Sequence, residues 1–138
     1  MSADAERDYI TVVRAMFDAF QSGDYDGIME ELRDDCEFRN PAHAIEPGIR
    51  RGPAEFRRAL ENVNQILEFT VEFEEMRQID DAVVVGYRAI GKGRESGVPI
   101  DQRFGHVWTF QDGKVKSLEW FASFDEALAA AGPRRDTS

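Results

Sequence analysis

His106 is the side chain in this sequence best placed to do chemistry. It stands in the run from Gln102 to Phe124, QRFGHVWTFQDGKVKSLEWFASF, which has the alternation of two long strands and a turn. Side chains alternate across a strand, so Phe104, His106, Trp108 and Phe110 share one face, while Arg103, Gly105, Val107 and Thr109 share the other. One imidazole on an otherwise apolar wall is the make-up of a small-molecule pocket, in which apolar groups bury the ligand and a polar group orients it. Close to neutral pH the ring can serve as general base, general acid or hydrogen-bond donor.

What faces His106 depends on the turn. A two-residue loop at Asp112-Gly113 sets Glu119 opposite His106 and makes a His-Glu acid-base pair. A three-residue loop, Gln111-Asp112-Gly113 with Gly113 as the bulge glycine, sets Leu118 opposite His106 and Trp120 opposite Phe104. A slip of one residue moves every side chain to the other face. The three-residue loop is preferred because it alone joins Leu118 and Trp120 to the apolar wall of Phe104 and Trp108. It leaves Glu119 and Arg103 on the opposite face.

The remaining candidates carry less. Asn40 ends a strand-like run beside Pro41, where an Asx turn accounts for it as well as a site does. His43 lies in a proline-rich loop and reads as an exposed histidine. Cys36, the single cysteine, excludes an internal disulfide, fits a reducing compartment, and reads as a buried structural thiol. Two histidines and one cysteine without close ligand spacing point to no metal site, and no cofactor is expected. The spacing G-x-G-x-x-x-G from Gly91 to Gly97 is not a dinucleotide fingerprint, and it follows no strand-to-helix transition.

Bulk composition narrows the partners. The net charge of −10 argues against phosphate backbones and anionic membrane surfaces, so neither nucleic acid nor membrane is expected. The N-terminus, Ser-Ala-Asp-Ala-Glu after Met1, has no signal-peptide character, and no apolar run approaches the length of a membrane helix; a cytoplasmic protein is expected. At 138 residues, with 42% apolar content, the chain reads as one domain over 1–132 with a frayed tail over 133–138.

The elements that must position His106 follow from periodicity. Ile10, Val13, Phe17 and Phe20, widened by Val12, Met16 and Ala19, make the apolar stripe of a helix from Asp4 to Gln21, closed by Gly23. Asp24 caps a second helix, Tyr25 to Leu32. Cys36 to Arg39 is a short strand stopped by Asn40-Pro41, and residues 41 to 51 form a loop. Pro53 opens a third helix that buries Phe56, Leu60, Val63 and Leu67. Strands then follow: Phe69 onward with a bulge near Glu75-Met76, Ala82 to Gly91, Val98 to Phe110, and Lys114 to Phe124. Asp125 caps a last helix, Glu126 to Ala131. Helices first and long strands after is an α+β pattern: a curved antiparallel sheet wrapped around helices, leaving a conical cavity.

This order, with the pieces QSGDYDGIMEEL, EFRNP, RGPAEFRRAL and FQDGKVKSLEWF, resembles the nuclear-transport-factor-2-like superfamily, which includes SnoaL-like cyclases and ketosteroid isomerases. The likeness spans residues 6 to 131 and is nearest to uncharacterised SnoaL-like proteins. It implies a cone-shaped α+β barrel, a deep pocket and commonly a homodimer. Carried over by motif, the isomerase's helix tyrosine falls at Met16, its general-base aspartate at Asn40 and its protonated aspartate at His106. The cyclases' aspartate also falls near His106, and the Asp-Arg-Asp set of related epoxide hydrolases is not evident. Met cannot donate a hydrogen bond and Asn cannot take up a proton at neutral pH, so ketosteroid isomerase activity is not expected.

Two functions are carried forward. In one, the protein is an isomerase, cyclase or hydrolase acting on a hydrophobic carbonyl-containing or polycyclic compound by proton transfer at His106, with Asn40 assisting. In the other it is a non-catalytic ligand-binding or dimerisation module. In either, Met16, Phe38, Phe104, Trp108, Leu118 and Trp120 line the ligand's pocket. A polar cluster at the pocket base would favour the enzyme; a pocket filled by Met16, Trp108 and Trp120 would favour the module. A homodimer through the outer sheet face is expected, because Val107 and Phe121 are too apolar there for a solvated surface.

Overall fold

The computed structural model describes residues 8–41 and 47–136. The chain runs α1 (Tyr9–Ser22), α2 (Tyr25–Met29), β1 (Leu32–Asn40), β2 (Gly48–Arg51), α3 (Pro53–Ile66), β3 (Leu67–Ile79), β4 (Ala82–Gly93), β5 (Pro99–Gln111), β6 (Lys114–Phe121) and α4 (Phe124–Asp136). The six strands form one curved, unclosed sheet in the order β2-β1-β6-β5-β4-β3. Neighbours are antiparallel except β1 and β6, which pair in parallel. The α+β class and the three helices of the N-terminal half on the inner face stand as the sequence pattern implies.

Local chemistry explains the helix ends. The Asp8 carboxylate accepts from Thr11 N at 3.3 Å and caps α1, and Gly23 closes that helix at φ 79°, where a side chain would be strained. Asp24 caps α2 by accepting from Gly27 N at 3.1 Å. Pro53 sits at the start of α3, where its missing N–H costs nothing. The stripe of α1 buries Val12, Val13, Met16 and Phe17 against the inner face of the sheet, together with Ile28 of α2 and Phe56 and Ala59 of α3.

Several boundaries differ from the sequence reading. β1 starts at Leu32, so α2 ends at Met29 rather than running to Leu32. Val115 N bonds Glu31 O at 2.8 Å, and this contact with β6 draws the segment out of the helix. The loop expected over 41–51 contains β2, whose pairing with β1 no local pattern announces. The bulge on β3 lies between Phe73 and Glu75, close to the expected place. The last helix is longer than Glu126–Ala131, reaching from Phe124 to Asp136, and its cap is Ser123 rather than Asp125: Ser123 Oγ accepts from Glu126 N at 3.1 Å.

The outer face of the sheet carries a finding of its own. α4 lies across β4 and β5, and Ala127 and Ala131 pack with Ala82, Val84 and Val107 into a second apolar cluster edged by Phe121 and Phe124. Of the apolar residues that suggested a dimer surface, Val107 is thus buried under the chain's own last helix and Phe121 is partly covered at its edge. Close approach is possible because Gly86 and Gly105 pair across the strands. A Cβ at Gly105 would meet Ser123 O at 2.2 Å, and one at Gly86 would meet Phe124 Cβ at 2.7 Å.

Candidate functional site

The β5–β6 hairpin settles the register by a route the sequence left out. Gln111 pairs with Lys114, so the loop is the two-residue Asp112-Gly113, both residues at positive φ (54° and 81°). A bulge follows at once, between Thr109 and Phe110, and restores the alternation. His106 therefore opposes Trp120, and Trp108 opposes Leu118. The expected pairs, His106 with Leu118 and Phe104 with Trp120, are shifted by two residues, so the faces are unchanged. Glu119 pairs with Val107 on the other face, and no His-Glu pair forms.

Between the inner face and the helices lies a cavity of about 500 Å³. It brings together all eight residues singled out above: Met16 of α1, Phe38 and Asn40 of β1, Phe104, His106 and Trp108 of β5, and Leu118 and Trp120 of β6. His43 lies outside the described residues. Leu60 and Val63 of α3 and Leu67 of β3 also line it, which explains why this stripe is only half-buried: it faces a cavity rather than a packed core. Among the described residues no Asp, Glu, Lys or Arg lines the cavity, and no three His, Cys, Asp or Glu side chains lie close enough to hold a metal ion. Cys36 is fully buried away from the cavity, and burial pushes its thiol up to about 11, so it is not a nucleophile at neutral pH.

His106 is 8% exposed, buried in the described core beside Tyr87. Its Nε2 lies 3.2 Å from the Tyr87 hydroxyl, and the two rings meet edge to face at 5.0 Å. Nδ1 has no hydrogen-bond partner among the described residues. Phe17 and Trp108 stand at 5.6 and 5.9 Å from the imidazole. This apolar shell disfavours the charged ring and pushes its pKa down to about 3. At neutral pH His106 is therefore an uncharged ring, able to donate or accept a hydrogen bond but weak as a proton acceptor.

Tyr87 is the residue sequence reasoning missed. It lies in the apolar run Ala82 to Gly91, where its ring reads as one more β-former. A signal was present: Val83, Val85, Tyr87 and Ala89 share the face that pairs with Phe104, His106 and Trp108, and Tyr87 is its one polar tip. Burial raises the Tyr87 phenol well above its ordinary pKa. Gln102 also lines the cavity and was not singled out.

The protein is thus a curved α+β sheet with an apolar cavity over one polar pair. The model of the SnoaL-like domain matches residues 13–118, and the chain belongs to that family. Its structure is similar to an NTF2-like protein of unknown function from Burkholderia pseudomallei K96243, at 21% identity over 94% of this chain and 97% of that one, with TM-score 0.75. It is similar to TerC co-crystallised with polyporic acid, at 24% identity over 87% and 97%, with TM-score 0.72. A protein with a ketosteroid isomerase-like fold from Catenulispora acidiphila, in complex with trimethylamine, matches at 15% identity over 88% and 92%, with TM-score 0.70. At these identities the likeness establishes the fold. Among curated proteins nothing matches.

Proposed function

We propose that this protein takes up a neutral, hydrophobic, carbonyl-containing compound and polarises its oxygen at His106, as the opening step of an isomerisation, cyclisation or hydrolysis. The observation that carries this is the cavity: about 500 Å³ of apolar wall, without a charged side chain among the described lining residues, over a buried Tyr87–His106 pair. Met16, Trp108 and Trp120 line this space and do not fill it. A charged ligand would lose its hydration with nothing to offset the cost. Neutral groups in such surroundings act as hydrogen-bond donors to an oxygen that gains negative charge, and the Tyr87–His106 pair is the polar group on this wall. With a pKa near 3 the ring is too weak a base to hold a full proton at neutral pH, so proton transfer is the lesser part of its work. Asn40 lines the cavity but offers no carboxylate, and steroid isomerisation of the ordinary kind is not proposed. TerC, which shares the fold, was co-crystallised with an organic compound, polyporic acid, and lends general support to a small-molecule pocket.

The same lack of carboxylates favours a second reading, binding without turnover. Both readings share one test. Trp108 and Trp120 line the cavity, so ligand entry should quench tryptophan fluorescence. Titration with 2-naphthaldehyde and 2-methylnaphthalene compares a carbonyl with a methyl of similar size. The aldehyde is expected to bind about tenfold more tightly, the worth of one added hydrogen bond. His106→Phe should erase the difference. Equal affinities in the wild-type protein would overturn the proposal.

A further inference from the structure

The cavity has a direction, and β5 records it. Along the inner face of that strand exposure falls step by step: Gln102 is exposed, Phe104 is half-buried, His106 is 8% exposed and Trp108 is 5%. Val98, just before the strand, is 60% exposed and also lines the cavity. The mouth therefore lies at the start of β5 and the floor at Trp108. A strand rises about 3.3 Å per residue, so Gln102 stands about 13 Å from His106 along this wall. Between them the same face carries Phe104, whose ring centroid lies 4.9 Å from that of Trp120 and 5.7 Å from that of Tyr87.

Apart from the two indoles, the polar side chains of the lining are Asn40, Tyr87, Gln102 and His106. Tyr87 and His106 hold one another in the depth, and Asn40 has interactions of its own. Gln102 is different: no described residue hydrogen-bonds its amide, and its cross-strand neighbour on β4 is Ala89, too small to cover it. The charged residues beside it in sequence point to the outer face and are paired there, Asp101 with Arg88 at 2.7 Å and Arg103 with Glu74 at 2.9 Å. The rim at Gln102 is thus a neutral amide, exposed and within reach of a molecule in the mouth, able both to donate and to accept.

We infer that Gln102 is a specificity-determining residue, and that the ligand is an elongated aromatic or polycyclic compound with an uncharged hydroxyl, carbonyl or amide group at the end opposite its buried oxygen. This rests on the reading of the Tyr87–His106 pair as the group that meets the inner oxygen; it adds a length and a second pole. The rings lie along β5 over Phe104. A cavity of about 500 Å³ accepts a molecule of that size. A ligand held at its inner end alone can turn about that contact, and a second hydrogen bond at the mouth fixes its orientation, the ordinary task of the few polar groups in an apolar pocket.

Two rods of one shape test this by the tryptophan quenching described above. 6-(4-Hydroxyphenyl)-2-naphthaldehyde carries a hydroxyl at its far end, and 6-phenyl-2-naphthaldehyde lacks it. The hydroxyl compound is expected to bind the wild-type protein about fivefold more tightly, within the range of one net hydrogen bond. Gln102→Leu removes the amide and keeps its bulk. It should bring that ratio to about one and hold the affinity for the phenyl compound within about twofold. A Gln102 that is merely solvated would leave the ratio as it was in the variant. That result, or a ratio near one in the wild type, overturns the inference. Loss of the phenyl compound in Gln102→Leu would mark a structural support and overturns it too. So does a failure of both rods to quench where 2-naphthaldehyde does, since the channel would then be shorter than the run from His106 to Gln102. Equal affinities of 2-naphthaldehyde and 2-methylnaphthalene, with the fivefold ratio intact, would remove the reading of the inner oxygen and leave Gln102 in place. No quenching by any of these compounds would overturn both.

Discussion

The two faces of β4 and β5 are built from alternate residues of the same strands, yet they meet opposite fates. Outward, Ala82, Val84 and Val107 are closed over by α4, and the Gly86–Gly105 pair lets the helix backbone come within contact distance. Inward, Tyr87, Ala89, Phe104, His106 and Trp108 face a cavity of about 500 Å³. The outer face has small residues and no gap; the inner face has large residues and a gap. The difference teaches where stability and function are divided. Each valine sealed under α4 contributes roughly 1.5–3 kcal/mol as an upper bound. The inner face forgoes part of such packing and holds a buried imidazole with one nitrogen unpaired.

The largest expected effect is on the closed face. Gly105→Val puts side-chain atoms where Ser123 O stands 2.2 Å from an ideal Cβ, and backbone cannot swing aside as a side chain can. A loss of about 3 kcal/mol or more is expected in urea denaturation, the upper end for overpacking. A loss below about 1 kcal/mol would show that α4 is not seated as described.

Next comes pH, which reaches the open face through His106. The His106 pKa is about 3 in the folded protein, against an ordinary value of about 6.5 in the unfolded chain. Above pH 6.5 both states are neutral and the group contributes no slope. Below it the unfolded chain binds a proton that the folded ring refuses, so stability falls by about 1.4 kcal/mol per unit as pH drops toward 3. At pH 5 this amounts to about 2 kcal/mol relative to pH 7. Carboxylates titrate in the same region, so the quantity to measure is the difference between wild type and His106→Phe. That difference should move by about 2 kcal/mol in favour of the variant between pH 7 and 5. A constant difference would mean that His106 is not neutral in the fold.

A matched pair of substitutions on one strand compares the faces directly. Ala82→Leu adds the same atoms under α4 that Ala89→Leu adds beside the cavity. The first should cost about 1–3 kcal/mol. The second should stay within about 1 kcal/mol, because it fills open space, while it abolishes quenching by 2-naphthaldehyde. Similar costs at both positions would remove the contrast between the faces.

The smallest effect concerns the polar pair. His106→Phe takes the acceptor from the Tyr87 hydroxyl and should cost about 1 kcal/mol, offset in part by loss of the unpaired Nδ1. Tyr87→Phe combined with His106→Phe should recover that stability. Costs that simply add would show that the two side chains do not act as a unit.

Much of this was legible in residue order. The stripe of α1, the caps at Asp24 and Gly23, Pro53 at the start of α3 and the alternation along β5 are local, since each depends on residues within a turn or a pleat of one another. The same locality made the facing of Phe104, His106 and Trp108 readable, and the composition of the cavity wall with it.

What only the tertiary structure decided is non-local. The bulge after Asp112-Gly113 set the pairing partners of His106, because a bulge answers to the sheet's twist and not to its own side chains. β2 became a strand because β1 offered it an edge. Val107 and Phe121 read as a contact surface until α4, some residues further on, folded back over them. The meeting of Tyr87, His106 and Trp120 belongs to the same class. Three strands had to be registered against one another before these three side chains, from β4, β5 and β6, could come together.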